Sequence, residues 1–443
     1  MSSRIWNRLR RARSPALFVL LCHAAAFSYA AEPLTLDEAW QHAEQANPKL
    51  RASRAELIAA EGQSRDANAL LWNNPEVSVE GRRRAIAEPA GTGTRNEGTV
   101  GIAQRFELLG QQSARRFIAG ANLDAIRATI AETRREVRVE VEQRFVDVLT
   151  LQLRTETETQ TLKVIQSASG LMQKRFKAGQ DNRLDANLAR IEAERAQNQV
   201  KALREELIRA RAALAALLQL APTSLPEVTG TLESGALPYT LDDLLGTVPN
   251  RPGLRALEHR EQAARSQLGL ERKSAYPDVT LGLSYGRERG LEGRDSITAL
   301  TFSVPLPLFR RNATAIGRAT SDLTRAQIDR EATGRDARAQ VLALWKQLQS
   351  LQDRIDDIQT SILPTLEENQ RLSLRALQVG EIGLPQLLLV SRQLFDGRRD
   401  LIDAQNALRL TRVSLEAAAG WPAESEMQEA NAAPVQQRNG AAK

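Results

Sequence analysis

Few residues in this sequence are of the kinds that do chemistry, and the most suggestive of them share one short stretch. AGQDNRLDANLA, Ala178 to Ala189, sets Asp181, Arg183 and Asp185 beside Gly179. Carboxylates in such a place can face a cation in water, or they can favour the positive end of a helix that starts there. Elsewhere the reactive side chains do not converge. Beyond the first thirty residues the only histidines are His42 and His259, which stand apart, and the one cysteine, Cys22, lies within those thirty. There is no GxxxxGK[ST] and no HExxH, so phosphate cradling and zinc hydrolysis have no motif to carry them. Gly91 and Gly93, in GTGTRNEG, fall between two strands and read as a hairpin loop. No catalytic set, cofactor site or metal site is expected, and the chain reads as something other than an enzyme.

The composition points to long helices. Of 443 residues only 4% are aromatic, and Ala, Leu, Arg, Glu and Gln dominate, which suits helices burying small and medium side chains. Residues 1–30 carry Arg4, Arg8, Arg10, Arg11 and Arg13 without an acid, then the apolar run Ala16 to Ala26, then Ser28-Tyr29-Ala30. This is the pattern of a cleaved secretory signal. Without it the net charge of +6 falls to about +1, so the basic balance gives no reason to expect a nucleic-acid partner.

The remainder is written twice. LTLDEAWQHAEQANPKLRA from Leu34 returns as YTLDDLLGTVPNRPGLRA from Tyr239, and RFKAGQ around Gly179 returns as LQVGEI around Gly380, at an offset of 200 to 205 residues. The expected organisation is a first repeat over 31–220, a Pro/Gly-rich linker over 221–238, a second repeat over 239–422, and a polar, disordered tail over 423–443. Each repeat opens on a Thr followed by acids, which suits a helix start. A second helix is closed by a proline, and two short strands follow: about 76–81 and 99–106, then 278–286 and 296–304. Val279, Leu281, Leu283 and Tyr285 alternate with Thr280, Gly282 and Ser284, the period of a strand with one apolar face. The long helices come next, about 111–176 with 184–220, and about 315–377 with 385–419. Val341, Leu344, Leu348, Leu351, Ile355, Ile358 and Ile362 form a 3-4 seam, and Leu387, Leu394, Leu401, Leu408 and Leu415 a heptad row. Pro364 should bend its helix, and Gly179 and Gly380 should end theirs in the left-handed conformation.

The fold class is therefore mainly α with a small β part. Four strands cannot close into a barrel, and open sheet edges cannot sit in lipid, where each backbone group needs a partner. Copies must pool their strands: two give eight, and three give twelve, enough for a pore. An exported adaptor of helical hairpins is the alternative of a different class, but it offers no reason for four alternating strands or a twofold repeat.

With these features the chain resembles the TolC family of outer-membrane efflux channels over nearly all of its length beyond the signal. The likeness rests on the doubled unit, on TLDEA…NP (Thr35 to Pro48), on the proline before each first strand, on the tip glycines, and on Leu363-Pro364. RFELLGQQSARR (Arg105 to Arg116) and SVPLPLFRRNATAIGRA (Ser303 to Ala319) are similar to the barrel-to-helix junctions of the cobalt–zinc–cadmium resistance subgroup. They depart from it at Leu109, Gln111, Arg310 and Ala313-Thr314.

The resemblance implies an outer-membrane homotrimer with a twelve-stranded barrel and a long periplasmic α-barrel. It would be the passive exit duct of a tripartite pump, working with a periplasmic adaptor and an inner-membrane transporter of the resistance–nodulation–division type. The implied cargo is divalent heavy-metal cations; a duct for drugs, solvents or secreted polypeptide is the alternative. Phe106, Gly110, Pro305, Pro307, Phe309 and Arg310 would form the junction, with Leu306, Leu308 and Phe309 filling it. Gly179, Asp181, Arg183 and Asp185 would form one tip and Gly380, Glu381, Gly383 and Pro385 the other, both gating the tube and docking the adaptor. Asp185 takes the place of a constricting acid, while Gln386 stands at the matching position of the second repeat.

Overall fold

The computed structural model describes residues 33–88, 91–180, 182–221, 223–233, 235–289 and 293–422. The expected signal and tail, and Asp181, lie outside them. Helices α1 (Leu36–Ala46) and α2 (Pro48–Ala67) lead to strands β1 (Glu76–Glu88) and β2 (Gly91–Phe106), then to α3 (Gln111–Lys177) and α4 (Arg183–Leu217). The second repeat follows the same order: α5 (Leu241–Thr247), α6 (Pro252–Lys273), β3 (Val279–Arg289), β4 (Arg294–Ser303), α7 (Ala313–Asp357), α8 (Leu363–Val379) and α9 (Leu384–Ala419). At 1.5 Å per residue α3 alone is about 100 Å long. No described helix is long and apolar enough to cross a membrane.

The two repeats start alike because the same hydrogen bonds start them. Thr35 and Glu38 cap α1 reciprocally, as Thr240 and Asp243 cap α5. Their ends match as well. Gln219, at φ 54°, and Gly420, at φ 80°, hold the left-handed position after α4 and α9. In both, the next amide reaches back five residues: Leu220 N–H to the Ala215 carbonyl (3.0 Å) and Trp421 N–H to that of Glu416 (2.9 Å).

Packing repeats too. Val141, Leu207 and Leu214 lie in the first core cluster, and Val341, Leu408 and Leu415, their counterparts, lie in the second. Val141, Leu214, Val341 and Leu415 are fully buried. The heptad row of α9 is buried at Leu387, Leu394, Leu408 and Leu415 and half-buried at Leu401. The α7 seam is buried at Val341, Leu348, Ile355 and Ile358 and half-buried at Leu344 and Leu351, but Ile362 is 45% exposed. The seam expected to include it stops where the helix changes pitch. Pro364 has no N–H to give, so the chain inserts a π turn over Ile358–Ile362, and Leu363 N–H bonds the Ile358 carbonyl instead. The expected bend is thus a π turn, after which α8 leans on α9. They lie close at Gly397, where an added Cβ would lie 2.8 Å from Leu366 Cδ1.

The repeats dock through α3, which packs along α2, α4, α6 and α9. Arg251, at the start of α6, has no capping oxygen of its own. Glu132 of α3 supplies one, accepting from Arg251 Nε at 2.8 Å and Gly253 N–H at 3.0 Å. The stretch before α5 is pinned rather than loose. Leu34 forms a parallel bridge with Val228, whose N–H and carbonyl are both bonded by Gln152 at 3.1 Å.

The four strands make one antiparallel sheet in the order β1-β2-β3-β4. The first hairpin is longer than expected. The sequence pattern leaves residues 82–98 as a loop, yet the pairing runs unbroken from Glu76↔Ala103 to Glu88↔Gly91. Glycine and charge lower strand propensity, but the ladder needs only backbone groups, and Arg82 meets Glu97 across it.

Leu214→Ala and Leu415→Ala should each lower unfolding stability by about 2–5 kcal/mol, through lost burial and a residual cavity. Denaturant unfolding of the detergent-purified protein would measure both, and similar values are expected because the sites are equivalent.

Candidate functional site

The sheet divides its residues sharply. On one face Val77, Val79, Val100, Ile102, Leu283 and Leu300 stand together by register, with Leu281, Tyr285 and Phe302 beside them. All nine are exposed in the protomer, Leu300 at 81% and Val79 at 78%. Left in water, each such side chain would forgo roughly 1.5–3 kcal/mol. The other face is small or polar. Gly101 sits between Ser78 and Ser284, and a Cβ there would come within 2.9 Å of Ser78 Oγ; at Gly286 it would come within 2.8 Å of Thr99 Oγ1. Small residues on one face and large ones on the other let the sheet curl toward the small side. The edges, β1 and β4, have no partner within the described chain.

The junction joins this sheet to the helices. Phe106 closes β2 opposite Val279. Gly110, at φ 75°, turns the chain into α3, and Asn312, at φ 59°, does the same for α7. Both are held from α6: Lys273 Nζ donates to the Gly110 carbonyl at 3.2 Å, and Asn312 Nδ2 donates to the Glu271 carboxylate at 2.7 Å. Asn312 was not singled out from sequence, although an Asn before a helix in the position matching a glycine was a usable signal. Gln111 is buried and bonds Asp278 at 3.4 Å. Arg115 pairs with the buried Glu107 and lies 4.4 Å over the Trp72 ring. Strand β4 ends at Ser303, just before Pro305 and Pro307, whose missing donors stop the ladder. One expectation fails within the protomer. Leu306 (73%), Leu308 (69%) and Phe309 (96%) are exposed rather than packed, and no other described segment covers them. Arg310 is exposed as well.

At the far end of the helices both tips turn in the same way. Gly179 (φ 73°) and Gly380 (φ 81°) are left-handed. Gln180 N–H reaches the Arg175 carbonyl and Glu381 N–H that of Ala376, at 2.9 and 2.8 Å. Arg183 is exposed at the first position of α4. Asp185 is committed to the helix start: its N–H donates to Asn182 Oδ1 at 2.8 Å, and its carboxylate accepts from Asn182 Nδ2 at 2.9 Å. Gly383 precedes α9, with Pro385 preset in the first turn. The tips meet in a small core of Met172, Ala189, Leu377 and Leu387. The structure thus brings Gly179, Asp185, Gly380 and Pro385 to one end of the molecule, far along α3 from Gly110.

A row of ion pairs between the repeats escaped sequence reading. Arg392 of α9 meets Glu192 of α4 at 2.9 Å; Arg399 meets Glu158 of α3 at 2.6 Å; Asp403 meets Arg154; Arg409 meets Glu142 at 2.5 Å. The bond to Glu158 raises the Arg399 pKa above its ordinary value. Burial pushes the Glu142 carboxyl up, with Arg409 pulling it back. Arg392 and Arg399 are one heptad apart beside the leucine row, a hint of a shared face but not of its partner. His42 lies on α1 and His259 on α6. Among the described residues no group of three or more His, Cys, Asp or Glu could hold a metal ion.

An exposed apolar sheet face, two open edges and a hundred-ångström helical body define the protomer of an outer-membrane channel. The model of the family described as outer membrane efflux protein matches residues 39–219 and 247–421, and the chain belongs to that family. It is similar to the cobalt-zinc-cadmium resistance protein CzcC of Cupriavidus metallidurans, 28% identical over 372 residues, which are 83% of this chain and 86% of that protein. Its fold is similar to that in crystal structures of CusC (TM-score 0.74, 21% identity, 87% of this chain and 92% of that one). The outer membrane protein VceC of Vibrio cholerae is equally similar in fold (TM-score 0.74, 22% identity, 87% and 96%). The protein is thus an outer-membrane efflux channel and not an enzyme, with the apolar face of its sheet toward lipid.

Arg399→Glu, which sets a carboxylate against Glu158, Asp396 and Asp403, should lower the thermal midpoint, and the swap Arg399→Glu/Glu158→Arg should recover most of the loss. Glu142 gives a pH signature of opposite sign to a depressed carboxylate. With its folded pKa raised, its contribution is complete below the ordinary value of 4.5 and is lost as pH rises through the folded value. Wild type should therefore gain stability relative to Glu142→Gln as pH falls toward 4.5, read from paired thermal melts.

Proposed function

We propose that this protein is the exit duct of a tripartite pump for divalent heavy-metal cations. Three copies join β4 of one to β1 of the next, making a twelve-stranded barrel whose helices continue as a tube. The observation that carries the assembly is the sheet itself: unpaired edges in lipid cost several kcal/mol per backbone group, and only closure removes them. Leu306, Leu308 and Phe309, uncovered in one protomer, would be covered at the seam between copies. The metal assignment is supported by the similarity to CzcC, a cobalt-zinc-cadmium resistance protein, over most of both chains, and by the junction sequences.

In this reading a periplasmic adaptor docks on the tips around Gly179 and Gly380, where Leu184 and Val379 are exposed. An inner-membrane transporter of the resistance–nodulation–division type supplies the energy. Selectivity lies with those partners, and metal passes through the duct as cargo. Tip opening moves the hairpins against one another, so the pairs Arg392–Glu192 and Arg399–Glu158 resist it.

A strain lacking the protein should become sensitive to one group of metals among zinc, cadmium, cobalt, nickel, copper and silver. Dyes and antibiotics in the same panel should be unaffected. Sensitivity to the organic compounds alone would sink the metal assignment and leave a duct for drugs or solvents.

A further inference from the structure

The hairpins run on past the apolar band, and there the two faces of the sheet take different charge. On the lipid-facing side the register places Arg83 on β1 and Arg287 on β3, one row apart and both exposed. No Asp or Glu shares that face in any described strand residue. The reverse face mixes its charges: Glu80 with Arg82 at 3.0 Å, Glu97 with Arg84 at 3.9 Å, and Glu288 and Asp295 farther out. Arg82 and Arg84 on the inner face therefore find carboxylates within the protein, whereas Arg83 and Arg287 face none among the described residues of the outer face. Arg287 instead leans on Tyr285, donating from Nε to its hydroxyl at 3.3 Å. Tyr285 is the outermost aromatic residue of the band, in the place where an amphipathic ring marks the edge of the hydrocarbon.

A guanidinium at the rim of an apolar band is poorly served by water on its inner side. It pairs best with a phosphate, which its planar fork can bind through two hydrogen bonds. With the hairpin turns outward, that rim meets the outer leaflet, whose glycolipid carries phosphates at the hydrocarbon boundary. We propose that Arg83 and Arg287 form a binding edge for the phosphorylated glycolipid of the outer leaflet, with Tyr285 setting its depth. The inference rests on the orientation given under Proposed function. The edge anchors each hairpin in the outer leaflet, where divalent cations would otherwise have to bridge phosphate to phosphate.

The test uses the full-length protein purified in a mild detergent, as wild type and as Arg83→Gln/Arg287→Gln. Each is melted alone, with lipopolysaccharide, with enzymatically dephosphorylated lipopolysaccharide, and with inorganic phosphate. Wild type should gain about 2–4 °C with the phosphorylated glycolipid and nothing with the other two additives. The double variant should lose that gain and co-purify with several-fold less glycolipid, and Arg83→Lys/Arg287→Lys should keep part of both. An equal gain from the dephosphorylated lipid, a gain from inorganic phosphate alone, or an unchanged double variant would overturn the proposal. If the double variant does not fold, the wild-type arms still decide. Recovery of wild type without detergent, outside the membrane fraction, would instead overturn the duct reading on which the inference rests.

Discussion

The unpaired backbone along β1 and β4 governs the rest of this structure. In water an open edge is a liability that charges or a bulge can blunt; in hydrocarbon it has no remedy except closure. Four strands close nothing, so in the proposed assembly the open sheet is completed by copies of the same chain. The small inner face follows from the same need. Gly101 and Gly286 lie where a side chain would collide with Ser78 or Thr99, and their absence of bulk lets a wide sheet curve. The prolines after β4 follow as well, because pairing must end where the chain leaves lipid for water.

The helical body answers a second requirement, that a long hollow object be built from a chain that must also fold. Doubling the unit solves it cheaply, since one set of rules for starting, seaming and ending a helix serves twice. The equivalence reaches single residues: Val141 and Val341, Leu214 and Leu415, and the left-handed pairs Gly110 with Asn312 and Gln219 with Gly420. At the last two pairs one repeat uses glycine and the other a polar residue. The backbone conformation is thus what both repeats share, and the residue is only a means to it.

What could be read from the sequence divides along the same physical line. Local rules were legible: the Thr caps, the tip glycines, the heptad row of α9 and the apolar alternation of β3 each depend on residues a few positions apart. Relations between distant segments were not. Glu158 and Arg399 are 241 positions apart, and each looks like one more charge on a solvated helix. The extension of the first hairpin through Arg82 and Gly98 was hidden because its stability comes from a partner strand rather than from its own side chains. Leu306, Leu308 and Phe309 read as packing residues and lie bare in the protomer, where the proposed assembly would cover them with another copy.

The two tips share a turn but not their support, and the difference has a mechanical consequence. The first hairpin runs as an unbroken α3, and its return helix is clamped at the start by Asn182 and Asp185 through two hydrogen bonds. The second hairpin reaches its tip through a π turn at Ile358–Ile362 and begins its return on Gly383 without a side-chain cap. A π turn already carries one residue more than the α-helix needs, so its hydrogen bonds can shift register at lower cost than those of a regular helix. Displacement of a tip is therefore easier in the second repeat. There Arg392 and Arg399 tie α9 to α4 and α3 of the first hairpin, and under the proposed function these pairs resist tip opening.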